Sequence, residues 1–129
     1  MLQTHLYPLV RRALSWSIVG IVLHTGRRPT EEFLNETGVD GEGFIALIDR
    51  LLKAEPFIQY GGRFKKLRNV QNVFQLATAK ERILGFRWRD ELILTNGFRK
   101  KGNETRPDQI GTCVRLGTEF HDERTQERR

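Results

Sequence analysis

Arg99, Lys100 and Lys101 stand side by side directly after the segment Leu92–Phe98. In that segment Leu92, Leu94, Asn96 and Phe98 alternate with Ile93, Thr95 and Gly97, the period-two pattern of a sheet strand. Three cations where a strand stops, shortly before a helix start at Pro107, form a site that attracts phosphate. Further cations precede them in Lys65, Lys66, Arg68 and Arg82, and Arg106 follows.

The charge is unevenly spread. The 129 residues carry 22 Lys and Arg against 16 Asp and Glu. Between Arg63 and Arg106 there are 12 basic side chains and only four acids, Glu81, Asp90, Glu91 and Glu104. The rest of the chain is therefore slightly acidic. A basic block on a near-neutral frame points to a polyanionic partner; a merely basic, solvated surface is the alternative. The single cysteine, Cys113, excludes a disulfide framework and reads as a small apolar core residue. His5, His24 and His121 are too scattered for a metal-ligand pattern, so neither a metal nor another cofactor is expected.

The elements that must position these cations follow from pattern. Arg11-Arg12 before an apolar run imitates a signal peptide, but no small-x-small site follows and the run is too short to span a bilayer. Trp16–His24 is read instead as a buried first strand, and a cytoplasmic location with no membrane partner is expected. Thr30 is placed as a helix N-cap, with Glu31 and Glu32 in the first turn. Asp40 caps a second helix whose Phe44, Ile45, Ile48, Leu51 and Leu52 share one face, and Pro56 stops it. Strands are expected at Val73–Thr78, Arg82–Trp88 and Leu92–Phe98, joined by tight turns into an antiparallel meander. A last helix starts near Pro107, with Ile110, Val114 and Leu116 or Gly117 toward the sheet. The expected class is α+β: a mostly antiparallel four-stranded sheet against an N-terminal helical hairpin and a C-terminal helix. Residues 1–15 are read as an extension forming a short helix or loose arm, 16–118 as the domain, and 119–129 as a polar, fraying tail.

Several stretches, taken in order, resemble the RelE/ParE toxin superfamily, specifically its phage-derived, HigB-like branch. They are Pro29-Thr-Glu-Glu-Phe-Leu34, Phe64-Lys-Lys-Leu67, Val73-Phe-Gln-Leu76, Arg82-Ile-Leu84 and Leu94-Thr-Asn-Gly-Phe-Arg-Lys-Lys101, continued by Thr105 to Ile110. The resemblance spans roughly residues 16–118. It implies the toxin of a type II toxin–antitoxin pair: a metal-independent endoribonuclease that cuts mRNA at the ribosome through attack by a 2′-hydroxyl. It also implies a cognate helix-turn-helix antitoxin. Arg82 matches the arginine opening the family's third strand and would hold the scissile phosphate. Lys100 and Lys101 match the basic pair after the fourth strand and would stabilise the transition state. Lys65, Lys66, Arg68, Arg99 and Arg106 would grip RNA.

Two departures stand out. Gln75 and Ala77 occupy places where many relatives carry charged side chains facing the substrate. No general base aligns; Arg106, Gln109 and His121 are the polar candidates near the last helix. The alternatives are that Arg82 pairs with Glu81, Asp90 or Glu91, that Lys65-Lys66 forms a solvated turn, and that Arg99–Lys101 serves the antitoxin. Competing functions are a non-catalytic, ParE-like inhibitor of DNA gyrase and a decayed remnant that only binds nucleic acid.

Overall fold

A computed structural model describes residues 8–102 and 106–127. The chain forms β1 (Val10–Arg12), β2 (Ser17–Gly20), α1 (Pro29–Leu34), α2 (Gly41–Leu52), β3 (Phe64–Lys66), β4 (Phe74–Ala77), β5 (Glu81–Trp88), β6 (Glu91–Arg99) and α3 (Pro107–Glu127). One six-stranded sheet runs in the order β1-β2-β6-β5-β4-β3. Only β2 and β6 pair in parallel; the other neighbours are antiparallel. The α+β class matches the sequence expectation, whereas the sheet is mixed and has six strands, not four.

Both additional strands come from segments with weak local signals. Leu9 is buried, and its carbonyl accepts from Gly20 N–H at 3.0 Å, so the part of the expected short helix or loose arm that is described, from residue 8 on, is an edge hairpin; residues 1–7 lie outside the described residues. The Glu31 carboxylate takes the Leu9 N–H at 3.4 Å and the Arg28 guanidinium at 3.2 Å, tying this hairpin to α1. Lys65-Lys66 belongs to a second edge strand, not a solvated turn, because Phe64 inserts fully into the core and pairs its backbone with Leu76. The first long strand also stops early, at Gly20, where the chain leaves for a turn closed by Gly26 N–H to Leu23 C=O.

Thr30 does not cap α1. The helix begins at Pro29, and the buried Thr30 hydroxyl is within hydrogen-bonding reach of the carbonyls of Leu94 (2.9 Å) and Thr95 (2.8 Å) on β6. Glu32 accepts from Arg28 N–H instead, neutralising a donor that the helix start would leave unmet. Asp40 does cap α2, accepting from Gly43 N–H at 2.9 Å.

The two sheet faces carry different helices. Trp16, Ile18, Ile83, Leu92 and Leu94 pack with Phe33 and Leu34 of α1 and Phe44, Leu47, Ile48 and Leu51 of α2. Leu84, Phe86, Ile93 and Phe98 pack beneath α3, which contributes Cys113 and Leu116. Val114, expected to face inward, is 41% exposed. Gly117 lies over Phe86, where a Cβ would already be 3.3 Å from the ring, so this glycine lets the helix approach the sheet closely. The expected fraying from residue 119 is not seen: α3 continues to Glu127. Phe120 packs on Phe86 and Trp88 at centroid distances of 5.4 and 5.7 Å, and His121 meets Trp88 at 5.2 Å.

One irregularity shapes the site. Pairing of β5 with β6 slips between Ile83↔Gly97 and Gly85↔Leu94, so two steps on β5 span three on β6. Leu92 and Leu94 face α1 and α2, but beyond the slip Asn96 and Phe98 turn toward α3. The simple alternation expected along β6 is broken by this bulge, which re-aims the side chains near the strand's basic end.

Candidate functional site

The sheet face beneath α3 is only partly covered by that helix. Lys65, Gln75 and Leu84 are cross-strand neighbours, as are Ala77, Arg82 and Phe98. Residues directly opposite one another share a face, so Lys65, Gln75, Arg82 and Phe98 stand on one side of the sheet. There a cleft of about 860 Å³ opens. Its twelve lining residues include Lys65, Lys66, Arg68, Arg82 and Lys100, and none of the twelve is acidic. Five of the eight cations chosen from sequence thus meet in one depression.

Local structure fixes each of them. β3 and the loop after it carry Lys65, Lys66 and Arg68, all exposed. Arg82 opens β5, and its Nη1 donates to the carbonyls of Thr78 (2.7 Å) and Glu81 (2.8 Å) in the β4–β5 turn. Two carbonyls, not a carboxylate, therefore orient this guanidinium. Burial pulls its pKa down from the ordinary arginine value, while Glu81 acts in the opposite sense; an arginine remains cationic at neutral pH regardless. The Glu81 carboxylate is buried and accepts from the Thr78 hydroxyl. Lys100 N–H donates to Lys80 C=O at 2.8 Å, fastening the end of β6 to the same turn and setting Lys100 at the cleft with Arg82.

The remaining three lie elsewhere. Arg99 points to the opposite side of the sheet, where its Nη2 donates to Thr37 C=O at 2.9 Å. Lys101 is exposed and does not line the cleft. Arg106 pairs with Asp108 at 3.2 Å and stacks 5.8 Å over Phe98, a cleft residue, so it flanks the rim without lining it. Thr105 falls outside the described residues. Of the other polar candidates, Gln109 accepts from Asn96 Nδ2 at 2.9 Å, and His121 lines a separate depression with Trp88 and Asn72.

Gln59, Gly62 and Asn69 also line the cleft and were not singled out from sequence. They arrive there because β3 pairs with β4, and nothing in their local pattern announces that pairing. Chemically, the cleft offers a dense field of N–H donors for phosphate oxygens. Among its described lining residues there is no His, Tyr, Cys, Asp or Glu to exchange a proton near neutral pH. Among the described residues no group of His, Cys, Asp and Glu could hold a metal ion, and no helix is long and apolar enough to cross a membrane.

No protein-family model, curated protein or solved structure matches this chain.

Proposed function

We propose that this chain is the toxin of a type II toxin–antitoxin pair, of the RelE/ParE type, acting on mRNA at the ribosome as a metal-independent endoribonuclease. One observation carries the reading: five cations and no acid line a single cleft, with the Arg82 guanidinium held in place and Lys100 fastened to the same turn. That arrangement suits a phosphodiester whose charge rises as a 2′-hydroxyl attacks it. Arg82 and Lys100 then stabilise the pentavalent phosphorus, while Lys65, Lys66 and Arg68 hold the flanking backbone. Lys101 and Arg106 act from outside the cleft on the same strand of RNA. The motif Gly97-Phe-Arg-Lys-Lys101 and its neighbours support the family assignment. A cognate helix-turn-helix antitoxin is part of the proposal, as is a cytoplasmic place of action.

A second reading, gyrase inhibition without catalysis, is favoured by the lack of a proton-transfer side chain among the described cleft residues. Induced expression without antitoxin separates the two. Transcript ends, translation and DNA replication are followed in the same cells. New 5′ ends inside coding regions with early loss of translation support the ribonuclease. Intact transcripts with blocked replication support the gyrase inhibitor, and absence of growth arrest points to a decayed toxin. In the first case a folded Arg82→Ala variant relieves arrest; undiminished toxicity of that variant removes Arg82 from the mechanism.

A further inference from the structure

Arg82 and Lys100 are both held by the turn between β4 and β5. Arg82 Nη1 donates to the carbonyls of Thr78 (2.7 Å) and Glu81 (2.8 Å), and Lys100 N–H donates to that of Lys80 (2.8 Å). One turn therefore orients the guanidinium of one cation and fastens the backbone of the other. Any displacement of the turn is passed on to both. A misplacement of about 1 Å in a group that meets a reacting phosphate can cost about 100-fold in rate.

The tip of the turn does not fix it. Ala79 and Lys80 are exposed, and they are not the Asn-Gly or Asp-Gly pair that a two-residue hairpin loop favours. The residues flanking the tip bind each other instead. The Thr78 hydroxyl donates to the Glu81 carboxylate and accepts from Glu81 N–H at 3.2 Å, and Thr78 N–H donates to Glu81 C=O at 3.1 Å. Glu81 is 2% exposed. Burying a carboxylate is costly, and an apolar side chain would fill the same place at lower cost if filling were its only role. Neither Thr78 nor Glu81 lines the cleft, so any effect they have on a bound phosphate passes through Arg82 and Lys100. The Glu81 charge also favours the cationic form of Arg82.

We propose that Thr78 and Glu81 are positioning residues, whose hydroxyl–carboxylate contact fixes the turn that aims Arg82 and holds Lys100 at the cleft. Their function rests on the RNA reading of the cleft given above. The test uses the full chain and a labelled ten-nucleotide RNA, with fluorescence anisotropy across a salt series. Arg82 side-chain NMR signals are read in the RNA-free chain and assigned by their loss in Arg82→Ala. A guanidinium held by two carbonyls should give slowly exchanging Nη–H signals in the wild type. Thr78→Val, which keeps the shape and removes the hydroxyl, should lose these signals and weaken RNA binding about threefold to tenfold. It should also lower the salt slope by up to about 0.7. Thr78→Ser should restore all three readouts, and Glu81→Ala should reproduce Thr78→Val. Added to Arg82→Ala, Thr78→Val should weaken binding less than it does alone, because the group it acts through is gone. The proposal is overturned by wild-type signals and affinity in folded Thr78→Val or, if that variant does not fold, in Glu81→Ala. It is also overturned by full additivity of Thr78→Val with Arg82→Ala, or by a Thr78→Ser chain that behaves as Thr78→Val does. Absence of wild-type RNA binding, with the Arg82 signals still lost in Thr78→Val, would overturn the RNA reading and leave the contact as the device that orients Arg82.

Discussion

Asn96 on β6 holds the start of α3: its Nδ2 lies 3.0 Å from the main-chain oxygen of Gln109 and 2.9 Å from that residue's Oε1. The Asn96 Oδ1 in turn accepts from the Thr95 hydroxyl at 2.7 Å. The bulge that turns Asn96 toward α3 therefore ties β6 to the helix's first turn, whose Ile110 lines the cleft. Removing the buried carboxamide leaves its partners unmet. Asn96→Ala should cost about 1–3 kcal/mol in urea unfolding. Amide exchange in residues 108–112 should quicken more than in β5, and uniform exchange across both elements would show that Asn96 does not anchor the helix.

Position on the sheet separates cations that the sequence alone treats alike. Arg82→Ala and Lys100→Ala should weaken single-stranded RNA binding and lower the salt slope by about 0.7 per lost phosphate contact. Arg99→Ala should change neither, since Arg99 sits on Thr37 across the sheet. Anisotropy titrations across a salt series measure both quantities. Equal losses for Arg82→Ala and Arg99→Ala would mean that the cleft is not where RNA binds.

Gly97 on β6 faces α1 so closely that a Cβ would lie 2.0 Å from the Phe33 ring. Gly97→Ala should therefore overpack this contact and destabilise the fold by about 1–3 kcal/mol. Pairing it with Phe33→Leu should recover part of that loss beyond simple addition of the two single effects. Strict additivity in chemical denaturation would locate the damage elsewhere.

Burial raises the Cys113 thiol from 9.0 to about 11, with the Thr95 hydroxyl acting in the opposite direction. Between these values the folded chain keeps a proton that the unfolded chain has shed, so this group's contribution to stability falls as pH rises through that window. The decline is at most about 1.4 kcal/mol per pH unit. Urea midpoints taken from pH 8 upward should fall more steeply for the wild type than for Cys113→Ala. The native thiol should also resist alkylation at pH 8 and react once the chain is unfolded; rapid native alkylation would contradict its burial.

The sequence by itself determined the α+β class, the meander of β4 to β6, the amphipathic face of α2, the Asp40 cap and the start of α3 at Pro107. Each of these is written in short-range periodicity or in a capping residue, where neighbouring side chains set the outcome. It also named Lys65, Lys66, Arg68, Arg82 and Lys100, because charge is visible residue by residue. Tertiary structure alone decided that these five share a cleft and that Arg99 does not. Alternation along β6 cannot reveal a bulge whose cause is pairing with β5 and packing under α3. The edge strands β1 and β3 were equally hidden, since three residues have little intrinsic preference until Gly20 and Leu76 present a backbone to pair with. The last turns of α3 read as a polar tail, yet Phe120 and His121 find Trp88 of β5 on the sheet face beneath the helix, and that contact, absent from any local window, keeps them helical.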